Sequence, residues 1–237
     1  SINEIAAHAT PSHDSVDKAH GLLKVDIGVH IDGFIADTAF SIDLENSELN
    51  RKLIAAAHEA LEKGVSHAKF NSKLSGIGQA IEKSIAGQGF VPVRNLTGHG
   101  IEQYDVHAGT AIPNYDTESE EKLDEGVYAI EPFSTNGSGK VVDGKSSGIY
   151  QLIKDGNVRD AGARVVLEFI AENYQTLPFC SRWIHDKFGG RGILGLRFIE
   201  QAGLLHHFSQ LVEFSKGIVA QAEHTLIVEK DKVTITT

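Results

Sequence analysis

Two runs of residues, 22–29 and 34–42, alternate apolar with small or polar side chains and are separated by turn-forming residues 30–33. This pattern predicts a β-hairpin, with Asp26 on its first strand and Asp37 on its second. A two- or four-residue loop places both carboxylates on one face, whereas a three-residue loop places them on opposite faces. Two carboxylates held close together out of water are unfavourable unless one is protonated or a cation lies between them. The hairpin therefore indicates a cation site, with two solvated aspartates as the alternative.

Apolar spacing predicts the other elements of secondary structure. They are helices over 47–64 and 72–86, strands over 90–96 and 127–133, a helical stretch over 163–216, and a final strand pair over 217–228 and 233–236. A loop rich in His and Gly separates the two middle strands. This order is typical of an α+β fold with a helical insertion before the last strands.

Three more residues have side chains that could bind a cation. His99 lies between two glycines, which allow close approach of the backbone, and Glu131 and Glu223 each interrupt an apolar strand. A glutamate inside a sheet is unusual unless it is paired, hydrogen-bonded or bound to metal. Each one alone is more often a satisfied polar residue. Together with the hairpin they form an oxygen-rich set with one imidazole, which suits two divalent ions and favours Mn, Fe or Co over a thiolate-type zinc site.

Composition excludes several other classes of protein. A net charge of -10 argues against a dedicated nucleic-acid surface, which is normally basic. No apolar run reaches the roughly 20 residues that span a bilayer, and no signal peptide precedes the first motif. Cys180 is the single cysteine and cannot form an internal disulfide, so we expect a reducing, cytoplasmic location.

Short motifs along the chain resemble type II methionine aminopeptidases of the archaeal kind, in that family's order. The motifs are Ser1-Ile2-Asn3-Glu4-Ile5-Ala6-Ala7-His8 before Thr10-Pro11, Lys24-Val25-Asp26-Ile27-Gly28, Ile31-Asp32-Gly33-Phe34-Ile35-Ala36-Asp37, Gly98-His99-Gly100-Ile101, His107-Ala108-Gly109, Ile112-Pro113-Asn114, Ala129-Ile130-Glu131-Pro132-Phe133 and Gln221-Ala222-Glu223-His224-Thr225. The resemblance implies the pita-bread fold. It implies a catalytic domain over 1–162 and 217–237, without the family's N-terminal segment, and a helical insertion subdomain over 163–216.

The resemblance also implies the roles of individual residues. Two divalent ions, of Co, Mn, Fe or Zn, would be bound by five ligands: Asp26, Asp37, His99, Glu131 and Glu223. Asp37 and Glu223 would bridge the ions, and Glu131 would also transfer the proton. His8 and His107 match the family's two substrate-contacting histidines. The remaining histidines lack such context and are interpreted as surface or incidental residues. They include His58, His67, His185, His206 and His207.

The expected activity is removal of the initiator methionine from nascent proteins whose second residue is small, through a hydroxide held between the two ions. We expect a monomer that acts on nascent polypeptides, contacts the ribosome transiently and uses neither a nucleic acid nor a membrane. A prolidase or X-Pro aminopeptidase of the same fold is one alternative, and the motif around His8 and the helical insertion argue against it. A non-catalytic relative that binds RNA or protein is another, and the intact ligand set and acidic charge argue against that.

Overall fold

A computed structural model describes residues 1–237, which divide into two compact units. The first unit comprises Ser1–Ala7, Ala19–Val142 and Leu211–Thr237, and the second comprises His8–Lys18 and Asp143–Gln210. None of the helices is long and apolar enough to cross a membrane.

The chain forms strands and helices in the following order. They are β1 (Ile5–Ala7), β2 (Leu22–Ile31), β3 (Phe34–Asp43), α1 (Glu48–His67), α2 (Leu74–Gly87), β4 (Val91–Pro92), β5 (Thr97–Glu102), β6 (Asp105–Pro113), β7 (Gly126–Ile130), β8 (Phe133–Thr135), β9 (Val141–Leu152), α3 (Ala161–Asn173), β10 (Phe179–Cys180), α4 (Ser181–Phe188), α5 (Gly190–Gln201), β11 (Leu205–Glu213), β12 (Val219–Gln221), β13 (His224–Val228) and β14 (Val233–Ile235).

Antiparallel sheets organise the first unit. A five-stranded sheet has the order β14-β13-β7-β5-β6, a three-stranded sheet has the order β12-β8-β4, and β2 and β3 form a two-stranded hairpin. β1 pairs with the end of β11, where Ile5 lies opposite Val212. In the five-stranded sheet His99 of β5 lies opposite Ala129 of β7 and Ala111 of β6, so this histidine sits between two neighbouring strands.

Helices α1 and α2 contribute most of their buried side chains to the core of the first unit. Ser47 caps α1 by accepting a hydrogen bond from the Asn50 amide. Apolar side chains four residues apart then face inward in both helices: Leu53, Ala57 and Leu61 in α1, and Ile77, Ile81 and Ile85 in α2. Full burial of each large side chain stabilises the fold by about 1.5–3 kcal/mol. Both predicted helices are confirmed.

The β2–β3 hairpin turns through a two-residue loop, Asp32 and Gly33, with φ values of 51° and 82°. Gly28 lies opposite Asp37, so Asp26 and Asp37 stand diagonally on one face. The predicted placement of both carboxylates on one face is confirmed. The opposite face carries large apolar side chains that are exposed to solvent: Ile27, Val29, Ile31, Phe34 and Phe40.

The second unit has its own core, formed by three helices and the parts of the strands that belong to it. Asp160 caps α3 by accepting a hydrogen bond from the Ala163 amide at 2.8 Å. β10 pairs with β9, where Phe179 lies opposite Tyr150. The buried side chains of this core come from α3, α4, α5 and the adjoining strands, among them Val166, Ile170, Ile184, Leu196, Ile199 and Leu205.

Five predictions of secondary structure are wrong in part. The helical stretch over 163–216 contains α3, α4 and α5, but it ends in the strand β11. The predicted strand over 127–133 is broken at Glu131–Pro132, because proline has no amide hydrogen for the sheet. The strand over 217–228 is likewise broken before β13, at Ala222–Glu223. The strand over 90–96 is reduced to β4, while the His- and Gly-rich loop contains β5 and β6. The insertion subdomain over 163–216 stays a prediction.

Candidate metal centre

The hairpin that carries Asp37 is fixed to the segment that carries Glu223. The Thr225 hydroxyl accepts a hydrogen bond from the Asp37 amide at 2.8 Å and donates one to the Asp37 carbonyl at 2.7 Å. The Glu223 amide donates to the Ala39 carbonyl at 2.9 Å, and the Thr38 hydroxyl donates to the Glu223 carbonyl at 2.9 Å. Because these bonds involve the backbone on both sides, the two carboxylates have a fixed spacing.

Two glycines allow His99 to lie deep between strands. A Cβ atom on Gly98 would lie 2.3 Å from the Ala129 carbonyl oxygen, and one on Gly100 would lie 2.2 Å from the Ala108 carbonyl oxygen. Any other residue at either position would push the strands apart. The pattern Gly-His-Gly is therefore required for the close packing that buries His99, which is 9% exposed.

Glu131 leaves the sheet immediately after β7, and Pro132 follows it. Its carbonyl oxygen accepts a hydrogen bond from Asn114 Nδ2 at 3.2 Å, and the same amide nitrogen donates to the Leu96 carbonyl at 2.9 Å. Its carboxylate oxygen Oε1 lies 3.6 Å from His99 Nε2. Since Glu131 follows a strand instead of lying within one, its side chain can turn toward the histidine.

Gln221 is part of this cluster, and the sequence analysis missed it. Its Nε2 donates to Asp26 Oδ2 at 3.0 Å and to Glu131 Oε2 at 3.3 Å, so one amide joins two carboxylates from different strands. Its backbone is fixed by the Ser41 hydroxyl, which accepts from the Gln221 amide at 2.9 Å and donates to its carbonyl at 2.7 Å. The available signal was its spacing: Gln221 lies two residues before Glu223, which is the spacing of side chains on one face of a strand.

The side chains of the cluster converge within the first unit. Asp37, His99 and Glu223 each offer a ligand atom, and these atoms all lie within 4.8 Å of one another. Glu131 joins them through its approach to His99 at 3.6 Å, and Gln221 links Asp26 to Glu131. All five predicted ligands are thus brought together. The His107 ring meets the His99 ring edge to face, with 4.6 Å between centroids, so this predicted substrate contact borders the ligands.

Burial and mutual repulsion raise the pKa values of the carboxyl groups. Burial, followed by the charge of Asp26, raises the pKa of Asp37 to about 7. The pKa values of Glu131 and Glu223 rise well above the usual range, first because of burial and then because of the neighbouring carboxylates. Burial of the carboxylate also raises the pKa of Asp26, although the residue as a whole is exposed to solvent. Without a counter-ion, the cluster cannot carry its full negative charge.

The imidazole of His99 is neutral. Burial, followed by the neighbouring His107, lowers the pKa of His99 to about 4. Its Nδ1 lies 3.3 Å from the Gly100 carbonyl oxygen, which can only accept, so Nδ1 carries the proton and Nε2 keeps its lone pair. A neutral imidazole and several crowded carboxylates form the donor set that divalent cations prefer. The residues present therefore fit divalent cations.

His8 and His207 lie in the second unit, outside the cluster. His8 has a φ of 57°, and its ring packs edge-on against Phe208 at 5.1 Å. Its contact with substrate stays a prediction. His207 Nδ1 lies 3.1 Å from Glu200 Oε1, and its ring stacks on Tyr150 at 4.0 Å, while its interpretation as a surface or incidental residue stays a prediction.

The α+β fold and this buried donor set define a protein of the metalloenzyme class. The sequence model of metallopeptidase family M24 matches residues 1–230, and the chain belongs to that family. Divalent-cation use is a property of this metallopeptidase family, in agreement with the donor set.

Named relatives support the same conclusion. The chain is 46% identical to a methionine aminopeptidase of Pyrococcus abyssi over 242 residues, which covers 100% of this chain and 81% of the relative. A solved methionine aminopeptidase of Thermotoga maritima has a TM-score of 0.65 at 22% identity, over 99% of this chain and 71% of that one. A thermophilic Arx1 has a TM-score of 0.77 at 15% identity, over 92% of this chain and 67% of that one. The two structures share the fold alone with this chain. The resemblance seen in the sequence and the predicted pita-bread fold are confirmed.

Proposed function

We propose that this chain is a methionyl aminopeptidase that hydrolyses the first peptide bond of polypeptides beginning with methionine. The observation that carries the proposal is the convergence of Asp26, Asp37, His99, Glu131 and Glu223 in a chain that matches methionine aminopeptidases along its whole length. Family membership supports a metallopeptidase, and the names of the relatives support the specificity for methionine.

The five acidic and imidazole residues would hold two divalent cations, with Asp37 and Glu223 shared between them. Bound cations would lower the pKa of water and polarise the scissile carbonyl group. Cobalt, manganese, iron and zinc all suit a set of carboxylates with one imidazole. The close approach of the Asp37 and Glu223 ligand atoms, supported on both sides by Thr225 and Thr38, favours these two as the shared ligands.

The protein residues act on the substrate as proton carrier and hydrogen-bond donors. Glu131 accepts the proton of the attacking water and delivers it to the departing amine. His107, beside His99, donates a hydrogen bond to the carbonyl oxygen as its negative charge develops. His8 serves as a second contact to substrate.

The substrates are nascent polypeptides whose second residue is small. The enzyme acts on them in the cytoplasm as a monomer that contacts the ribosome transiently. The acidic net charge of -10 is in keeping with a substrate that is a peptide and not a nucleic acid.

Peptide cleavage by the metal-free and reconstituted protein tests this proposal. The protein is stripped with a chelator and then supplied with cobalt, manganese, iron or zinc one at a time. We expect activity on Met-Ala-Ser to return in proportion to bound cation, with a stoichiometry of two, and to be lost in Asp37→Ala while the fold persists. Asp231→Ala, in an exposed turn, is the matched control and should keep full activity.

Three results contradict the proposal in different ways. Faster cleavage of X-Pro peptides than of Met-Ala-Ser indicates a prolidase or X-Pro aminopeptidase. Cation binding without cleavage of either substrate indicates a non-catalytic binding protein. Normal binding of two cations with unchanged turnover in Asp37→Ala excludes the binuclear site.

A further inference from the structure

The tip of the β2–β3 hairpin is fastened to the tip of the β5–β6 hairpin. Gln103 Nε2 donates to the Asp32 carbonyl at 2.8 Å, and the Tyr104 amide donates to the Gly33 carbonyl at 2.9 Å. Residues 32–33 and 103–104 form the two hairpin turns, and we name their contact the turn latch. Its hydrogen bonds join the backbone of one turn to a side chain and the backbone of the other.

The latch depends on an unusual backbone in both turns. Gly33 has a φ of 82°, and a Cβ atom there would lie 2.4 Å from ring atoms Cδ2 and Cε2 of Tyr104. Tyr104 has a φ of 60°, a left-handed conformation that is unfavourable for a residue with a side chain. Strain of this kind persists where the surroundings determine it, and it is concentrated near functional sites.

A third contact of the latch involves His30 of β2. The Gly33 amide donates to His30 Nδ1 at 3.2 Å, and the His30 ring lies 6.1 Å from the Tyr104 ring at a tilt of 59°. His30 lies on the same face of β2 as Asp26, because even-numbered residues of this strand share a face. The latch therefore lies at the turn end of the face that carries the hairpin carboxylates.

The two fastened hairpins supply four site residues. One carries Asp26 and Asp37, and the other carries His99 and His107. β3 is fixed at Asp37 by Thr225 and at Ser41 by Gln221, as described above, whereas the tip of the hairpin carries exposed apolar side chains. A two-stranded hairpin alone is marginally stable in water. The hydrogen bonds of the latch hold this tip against the other hairpin.

We propose that the turn latch positions the metal centre, and that Gln103 and Tyr104 are positioning residues for the donor atoms of both hairpins. This inference rests on the proposed metal-dependent function. The latch keeps Asp26 and Asp37 at a fixed distance from His99, so that the donor atoms need little rearrangement when a cation binds. It also sets the position of His107 relative to the carboxylates.

The test uses two variants and a matched control. Tyr104→Gly removes the ring but keeps the amide and the left-handed backbone, which glycine adopts without strain. Gln103→Ala removes the side-chain hydrogen bond to the Asp32 carbonyl and is the milder change. Asn71→Gly is the control, since Asn71 is exposed and has a φ of 67° in a turn outside the latch.

Three quantities are measured: hydrogen exchange of the amides of residues 28–37 in metal-free protein, cation affinity by calorimetry, and kcat and KM on Met-Ala-Ser. We expect Tyr104→Gly to raise the exchange rates about 10-fold, weaken cation binding about 10-fold, and lower kcat more than it raises KM. Gln103→Ala should change the same quantities in the same direction by about threefold. Asn71→Gly should match the wild type.

A double variant separates the latch contact from general destabilisation. Gly33→Ala places a methyl group against the Tyr104 ring, so its effect on cation affinity should shrink at least about threefold when Tyr104→Gly is already present. A purely structural role would lower the urea midpoint and leave cation affinity and stoichiometry of the folded protein unchanged. That result, or latch variants indistinguishable from Asn71→Gly, overturns the inference. If the wild type itself binds no cation, the proposed function fails instead.

Discussion

Replacing Asp37 with asparagine should make the metal-free protein more stable against unfolding and the metal-bound protein less stable. Burial, followed by the charge of Asp26, raises the pKa of Asp37 from 3.8 to about 7. The folded protein thus holds this proton more tightly than the unfolded chain, and the stability that protonation provides is lost as the pH rises from about 4 to about 7. At ~1.4 kcal/mol for each pKa unit, the difference between 7 and 3.8 amounts to ~4 kcal/mol at pH 8 and to almost nothing near pH 4.

Asparagine keeps the shape of the side chain and the oxygen that accepts from the Thr38 amide at 3.1 Å, but it never ionises. Metal-free Asp37→Asn should therefore be about 2–4 kcal/mol more stable than the wild type at pH 8 and equal to it near pH 4. Divalent cations reverse the order at pH 8, because a ligand that binds only the folded state adds stability and the variant lacks one donor.

Urea unfolding with a chelator and with added cation, at both pH values, measures these differences. Asp231→Asn, in an exposed turn, is the control for loss of a negative charge. A metal-free Asp37→Asn no more stable than the wild type at pH 8 would refute the view that crowded carboxylates define this site.

Three further predictions concern other parts of the chain. Burial raises the pKa of Glu213, but hydrogen bonds from Ser138, Gly217 and Ser215 outweigh burial and lower this pKa to about 2. Glu213→Gln should therefore destabilise the fold by about 2 kcal/mol at pH 7. The variant should also lose less stability than the wild type between pH 4.5 and 2, as measured by urea unfolding. Met-Gly and Met-Ala peptides should be cleaved far faster than Met-Phe or Met-Lys, and equal rates across this panel would count against the proposed specificity. A fumagillin-like epoxide should label the protein once, at His8, by mass spectrometry. His8→Ala should escape the label, keep both cations and lose turnover by about 10- to 1000-fold, while a label elsewhere would contradict its proposed role.

The hairpin could be predicted in detail because its signals agree. Alternation fixes the faces of β2 and β3, and Gly33 allows the left-handed turn that closes them with two residues. Once the loop length is known, the register puts Asp26 and Asp37 on one face. Alternation alone leaves the loop length open, so it does not decide between the registers of the hairpin.

Other parts of the site depend on contacts that sequence patterns do not record. Gly98 and Gly100 suggested a loop, yet they permit the close strand pairing that makes Thr97–Glu102 a strand. The role of Gln221 depends on Asp26, a residue far away in the chain, and the spacing from Gln221 to Glu223 alone does not indicate this contact. The turn latch cannot be predicted from the sequence either, since Gln103 and Tyr104 form it only by contacting the distant turn at Asp32–Gly33.

The donors of the metal centre come from widely separated parts of the chain, and this has a consequence for synthesis. Asp26 and Glu223 are about 200 residues apart, and a ribosome adds about 5–20 residues per second. For roughly 10–40 s, a growing chain holds its first carboxylates without Thr225 and Glu223, the residues that fix their spacing. Tight cation binding must wait until that late segment has emerged and closed a loop of nearly the whole chain. Under the proposed function, cation uptake would therefore mark the end of folding.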